Sequence, residues 1–354
     1  MKTGIITFQD AQNFGAALQC YALKNICNNY CKTEVINYYN HKFHKKGKLS
    51  IKSVILYCLN FNWKLIRNYK FKKFQCTELV NSNKYLHDKE LVDLNNVYDK
   101  FITGSDQVWN LDCSGNNYTY FLDFVNDNKK KYSYAASFGT SDIKYDDFMI
   151  SSLKSFNKIS VREESARISI KNNLNLDTIQ VLDPTLLLSK KEWKEKFNLN
   201  FEEKYILIYE VLNSTHLLDE AIKLSKKTNL KIVCISNSNR RRKGVINKKG
   251  IGPKEWLDLF SKASFVLTNS FHGLVFSLNF QKQFWVELLD KTKHNTNARM
   301  MEILSMVNLN QRILNVNLDH QFDNVIDYTK VSLLLNKYIE KSKKYIIDIL
   351  SEDN

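Results

Sequence analysis

The feature that most constrains this chain is an alternation of short apolar runs and amphipathic stretches that halts at Asp183-Pro184 and then begins again. Residues 5–8 form an apolar run, and Ala16, Ala17, Leu18, Tyr21, Ala22, Leu23 and Ile26 follow with helical spacing. Runs at 34–38, 100–103, 132–137, 158–162 and 180–182 predict further strands, and a helix resumes through Ile168 and Ile170. Beyond the Asp-Pro break and a lysine-rich stretch at 190–196, strands are predicted at 205–209, 230–235 and 265–268. Helices are predicted over 215–227 and 253–263, the second opened by Pro253, and a last one carries Val331, Leu335, Tyr345, Ile346 and Ile349. Apolar strands alternating with helices belong to parallel sheets covered on both faces, so two α/β halves are expected.

Composition narrows the class. A chain of 354 residues that is 44% hydrophobic can pack an interior, and it contains no run of about 18 apolar residues that would span a bilayer. The first eight residues read as a strand and not a signal peptide, which predicts a cytoplasmic protein. Seven scattered cysteines without a CxxC pair predict reduced thiols and no zinc site. The net charge is +15, and ten Lys or Arg fall between His41 and Lys73 with no acid among them, interleaved with Phe43, Tyr57, Phe61, Trp63, Tyr69 and Phe71. Such a surface fits nucleic acid, an anionic substrate or an anionic membrane face. Its alternative is a solvated face in a chain rich in lysine and asparagine, and Arg240-Arg241-Arg242-Lys243 reads as a solvated loop tip.

In open parallel sheets ligands bind where strands end and helices begin. Five unusual loops lie at such places: 10–16, 104–110, 137–139, 162–165 and 268–273. In the first, Asn13, Gly15 and Ala16 precede a helix whose free N–H groups favour an anion. In the last, His272 stands between Asn269, Ser270 and Gly273 after an apolar strand, an arrangement that favours function over packing. Arg162 is one of eight arginines against 44 lysines, which suggests a need for a forked donor, either to a carboxylate or phosphate ligand or to a neighbouring acid such as Glu163 or Glu164. Arg299 carries the same argument. Asp106 can deprotonate a hydroxyl or cap a helix. Ser137 closes the third loop. Neither G-x-x-x-x-G-K-[ST] nor G-x-G-x-x-G occurs.

Asn13-Phe14-Gly15-Ala16, Gly104-Ser105-Asp106-Gln107-Val108-Trp109-Asn110, Tyr134-Ala135-Ala136-Ser137-Phe138-Gly139, Ser160-Val161-Arg162-Glu163, Asp183-Pro184-Thr185 and Ser270-Phe271-His272-Gly273 occur in order, and the series resembles the polysaccharide pyruvyl transferase family. The resemblance implies two Rossmann-like domains in a GT-B-like arrangement with the active site in the interdomain cleft. The expected domains are 1–185, including a basic helical segment at 41–75, and 186–325, followed by a C-terminal helix at 326–354. It implies transfer of a pyruvyl group from phosphoenolpyruvate, the donor substrate, to two hydroxyls of a sugar or lipid-linked oligosaccharide, giving a cyclic ketal in bacterial cell-surface polysaccharide biosynthesis, with no cofactor; the residues themselves show no metal-binding pattern and no recognised nucleic-acid-binding module, so neither a metal nor nucleic acid is expected. By resemblance Arg162 and His272 belong to donor binding and catalysis. His272 is the expected acid and Asp106 the expected base, while Asn13, Gly15, Ala16, Ser137, Asn269, Ser270, Gly273 and Arg299 are expected to bind substrate. Many members carry an arginine where this chain has Ser270, so a cationic contact is missing there or is supplied by Arg299 or a lysine. The basic segment is expected to meet the anionic inner leaflet. Competing readings are a GT-B-like glycosyltransferase that uses a nucleotide sugar and a non-catalytic binder of anionic glycans or membrane surfaces.

Overall fold

The structure, a computed structural model, describes residues 1–41, 51–82, 84–235, 243–289, 297–314 and 321–351, with the side chains of 51–62 and 321 outside the description. The Arg240–Arg242 tip and the basic residues 42–50 lie outside the described residues. The strands are β1 (Lys2–Ile6), β2 (Lys32–Val35), β3 (Lys100–Asp106), β4 (Lys131–Ala136), β5 (Ile159–Val161), β6 (Thr178–Gln180), β7 (Tyr205–Tyr209), β8 (Lys231–Ile235), β9 (Val245–Lys248), β10 (Ala263–Thr268) and β11 (Gln283–Val286). The longer helices are α1 (Phe14–Cys27), α2 (Ile51–Phe74), α3 (Asp147–Lys154), α4 (Glu164–Leu174), α5 (Lys190–Phe197), α6 (Thr215–Thr228), α7 (Pro253–Ser261), α8 (Phe271–Asn279), α9 (Asn297–Met306) and α10 (Tyr328–Ser351).

These elements form two compact units, each with a parallel sheet, as the alternation predicts. The first sheet has the order β2-β1-β3-β4-β5-β6 and the second β11-β10-β7-β8-β9. Every residue of β3 and of β4 is buried, which explains their lack of polar alternation. The first core gathers Ile6, Phe101, Trp109, Phe121, Leu153 and Ile170. The second gathers Ile206, Ile208, Leu217, Leu224, Leu267 and Trp285. Helix starts follow local chemistry: Ser189 and Glu192 form a capping box on α5, Ser214 caps α6 and Pro253 opens α7.

Two segments fall differently from the linear order. The first unit comprises Met1–Ile55, Phe71–Leu187 and Lys337–Asn354, and the second Leu56–Lys70 and Leu188–Asn336. The end of α10 is bound into the first unit by polar contacts: Lys100 Nζ donates to the Ile349 carbonyl (2.9 Å), Tyr345 OH to the Ser133 carbonyl (3.0 Å), and Leu182 N to Ser342 Oγ (2.9 Å). Residues 63–70 of α2 pack in the second unit, where a Cβ on Gly250 would lie 3.1 Å from the Trp63 carbonyl and one on Gly252 2.6 Å from Lys70 Cβ. Lys70 there pairs with Glu255 at 2.5 Å.

Candidate functional site

In the first sheet the strand order turns around between β1 and β3, and in the second between β7 and β10; ligands of open α/β sheets gather outside such points. At both, a threonine hydroxyl ties the adjoining strand ends. Thr7 Oγ1 donates to the Ser105 carbonyl (2.9 Å), and Thr268 Oγ1 donates to the Tyr209 carbonyl (2.6 Å).

Arg162, Asp106 and Ser137 come together in the first unit. The side chain of Arg162 is 2% exposed; its NH2 lies 2.7 Å from Asp183 Oδ2 and donates to Ser105 Oγ at 2.6 Å, while NH1 lies 3.7 Å from Asp106 Oδ1. Of the two sequence readings of Arg162, the ion pair is present, with Asp183 as a close partner. Glu163 accepts from Ser137 Oγ at 2.6 Å, and Ser137 Oγ also accepts from Gly139 N at 3.0 Å. The Asp183 carboxylate, fully buried, accepts from Thr185 N and Thr185 Oγ1 and so fixes the turn Pro184–Leu186. Burial and this carboxylate push the Tyr134 phenol well above its ordinary pKa. Asp106 adopts a left-handed backbone (φ 78°) and accepts from its neighbour Gln107 N at 2.9 Å; it caps no helix, because Asn110 caps the turn Leu111–Ser114. Gly104 shapes this approach: its φ is +107°, and a Cβ there would stand 2.3 Å from the Tyr134 carbonyl oxygen. Asn13 is exposed and caps α1, its Oδ1 accepting from Ala16 N at 3.2 Å, with Gly15 and Ala16 buried in the first turn.

His272, Asn269, Ser270, Gly273 and Arg299 come together in the second unit. Ser270 caps α8, its Oγ accepting from Gly273 N at 3.4 Å, and His272 follows in the first turn with 8% exposure. Gly273 is required because a Cβ would lie 2.2 Å from Thr268 Oγ1. The Arg299 guanidinium lies over the Phe271 ring at 5.2 Å, and that ring lies 5.2 Å from the His272 ring. Asn269 holds the loop after β7, accepting from Val211 N at 2.9 Å and donating to the Leu212 carbonyl at 2.8 Å.

Sequence reasoning did not single out several residues of these clusters. Asp183 and Glu163 had a visible signal, an acid just after a strand-like run. Tyr209 closes β7 and packs edge-on against Trp256 at 5.2 Å; burial pushes its phenol up to about 12. Glu287, just beyond β11, accepts from Ser214 Oγ at 2.8 Å and lies 3.3 Å from His216 Nδ1 and 3.5 Å from Asn269 Nδ2. It had no signal, because β11 was not predicted. Among the described residues no group of three or more His, Cys, Asp or Glu is arranged to hold a metal ion.

Two parallel α/β units, one with a guanidinium among carboxylates at its switch point and the other with a histidine at a helix start, make a protein whose polar chemistry is concentrated at sheet ends. The chain belongs to the polysaccharide pyruvyl transferase family, which it matches over residues 13–286, and is accordingly a transferase. No curated protein matches the chain in sequence. Similar solved structures include the Staphylococcus aureus MnaA-UDP co-structure, at 12% identity and TM-score 0.48, covering 98% of this chain and 90% of that one. Another is the Methanocaldococcus jannaschii UDP-GlcNAc 2-epimerase in complex with UDP-GlcNAc and UDP, at 13% identity and TM-score 0.49, covering 99% of each chain. A third is Arabidopsis thaliana UGT89C1 complexed with quercetin, at 10% identity and TM-score 0.43, covering 99% of this chain and 93% of that one.

Proposed function

We propose that the chain transfers the pyruvyl group of phosphoenolpyruvate to two hydroxyls of one sugar as a cyclic ketal, in cell-surface polysaccharide biosynthesis. The observation that carries this reading, beside the family, is the cluster of Ser270, His272 and Arg299 at the start of α8, where donors and a guanidinium suit an anion. In the reaction, one sugar hydroxyl adds to C2 of the donor while C3 takes a proton and becomes a methyl group. The second hydroxyl then displaces phosphate from C2, closing the ring and releasing inorganic phosphate. His272 is the proposed acid, at C3 and at the departing phosphate, and Asp106 the proposed base for the hydroxyl proton. Arg162, oriented by Asp183 and Ser105, is proposed to bind the donor carboxylate.

One observation favours the nucleotide-sugar reading. Glu287 is a partly exposed carboxylate held in place by Ser214, and such a group suits a pair of ribose hydroxyls. Calorimetry separates the two readings. Phosphoenolpyruvate is expected to bind and UDP not to bind; the reverse result would replace pyruvyl transfer with glycosyl transfer.

The expected meeting with an anionic membrane also has a surface to act through. On the described part of α2, Lys64, Leu65, Ile66, Tyr69, Lys72 and Lys73 are exposed, an apolar strip flanked by lysines, although no described helix is long and apolar enough to cross a membrane. The protein is expected to sediment with phosphatidylglycerol vesicles at low salt and to leave them as salt rises, since each lysine near such a surface contributes about 1 kcal/mol. Equal recovery with neutral phosphatidylcholine vesicles would remove this proposal.

A further inference from the structure

The first unit has a cavity that the proposed reaction does not use. It holds about 330 Å³, within the size range of small-molecule sites, and lies between the short helix Asp88–Leu91, the turn Tyr118–Phe121 and residues 123–124. Leu91, Val92, Tyr118 and Phe124 make its apolar wall, and Asp88, Asp123 and Thr119 its polar part. It opens to solvent, since Asp88, Val92 and Asp123 are exposed and Tyr118 is half-buried. Its walls are held from behind. Asp88 Oδ1 accepts from the buried Tyr38 OH at 2.7 Å, and that phenol accepts from Asn117 Nδ2 at 2.6 Å. Tyr118 OH donates to Asp146 Oδ2 at 2.5 Å while its ring packs 4.6 Å from that of Phe148, and Phe124 packs edge-on against Phe101 at 5.5 Å. A site fixed in this way needs little ordering when a ligand enters.

The lining points to one class of ligand. In a chain of net charge +15, neither Asp88 nor Asp123 makes a salt bridge among the described residues, so both keep acceptor capacity for hydroxyl donors. A pyranose presents hydroxyls around its rim and C–H groups on its faces, which matches carboxylates set beside aromatic and aliphatic walls. A small cation would use the carboxylates and leave the apolar wall bare. The cavity is also tied to the strand that carries the proposed base. The Tyr120 carbonyl, in the turn that lines it, accepts from Thr103 Oγ1 at 2.7 Å and from Trp109 Nε1 at 3.2 Å, residues that stand three before and three after Asp106.

We infer that this cavity is a subsite for one pyranose unit of the acceptor saccharide, with Asp88 and Asp123 accepting from its hydroxyls and Tyr118 and Phe124 lying against its C–H face. This rests on the reading of the chain as a transferase that acts on sugars, and it goes further by assigning part of the acceptor to the first unit.

Saturation-transfer NMR and calorimetry on the full chain test this, with the methyl pyranosides of glucose, galactose, mannose and N-acetylglucosamine as probes and spermidine as the cationic alternative. The variants are Asp123→Ala and Val92→Arg, both at exposed positions, and Asp88→Asn, which keeps an acceptor for Tyr38; the exposed Asp219→Asn of the second unit is the charge-matched control. At least one pyranoside is expected to bind, with affinity lower by about tenfold or more in Asp123→Ala, the usual worth of a hydrogen bond to a charged group. A comparable loss is expected in Val92→Arg, which sets a long cation at the cavity wall, a smaller one in Asp88→Asn and none in Asp219→Asn. Phosphoenolpyruvate affinity is expected to stay at the wild-type value in all four. A pyranoside bound equally by wild type, Asp123→Ala and Val92→Arg would overturn the subsite, as would a wild type that binds none, and pyruvyl transfer would stand as long as phosphoenolpyruvate binds. Binding of spermidine alone would make the cavity a cation site and overturn the inference as well. Pyranoside binding that is lost in these variants, in a chain that does not bind phosphoenolpyruvate, would uphold the sugar subsite and remove pyruvyl transfer.

Discussion

Replacement of Arg162 by alanine is expected to destabilise the first unit by about 3–5 kcal/mol, the cost of leaving a buried carboxylate without its charge partner. Asp183 is fully buried and lies 2.7 Å from the guanidinium, and the Arg162 side chain is itself 2% exposed, so water cannot take over the interaction. The loss is expected as faster hydrogen exchange in β3, β4 and β5, which surround the pair, with β7 and β10 little affected. The cause is testable by removing the other charge. Arg162→Ala combined with Asp183→Asn is expected to regain much of the lost protection, because an amide left without a guanidinium costs far less than a carboxylate. Unchanged exchange in the single variant would show that the pair does not hold the unit together. Because the same arginine is the proposed carboxylate ligand, its loss is expected to abolish phosphoenolpyruvate binding as well.

His272→Ala is expected to lower turnover by about 10² to 10⁴ at saturating donor and acceptor, the usual worth of one acid-base group. The fold should tolerate it. The ring lies beside Phe271 at the start of α8, while the cap of that helix is Ser270 and its close packing is made by Gly273 against Thr268. Turnover is therefore expected to fall much further than donor affinity, since donor binding is shared with Arg299 and Ser270. Near-wild-type turnover would remove His272 from the chemistry, and an equal fall in affinity and turnover would make it a binding residue only.

How much of this was legible beforehand differs from element to element. The strand predicted at 205–209 has the same bounds in the structure, because a strand buried on both faces is an unbroken apolar run. The strand Val245–Lys248 was missed for the opposite reason: it is an edge strand with alternate residues exposed, and its Asn and Lys resemble loop composition. The run after Glu34 was read too long, since β2 ends at Val35 and residues beyond it turn to other partners, Asn37 accepting from Leu86 N and Tyr38 bonding to Asp88. At the site, the loops bearing Arg162 and His272 stood out by residue type and by their place after apolar runs. That Arg162 and Asp183 pair with each other did not stand out, because they lie 21 residues apart in the chain.

Local patterning therefore determined what each segment would be: which runs are strands, which stretches are helices, and which loops carry the arginine, aspartate and histidine. Those outcomes depend on side-chain periodicity and on capping, which act over a few residues. The strand orders were decided only by the tertiary structure, and with them the two switch points that gather Thr7, Ser105 and Asp106 in one unit and Tyr209, Thr268 and Ser270 in the other. So was the pairing of Arg162 with Asp183, because a buried guanidinium is satisfied by whichever carboxylate the packed sheet brings within reach, and that distance is set by long-range packing.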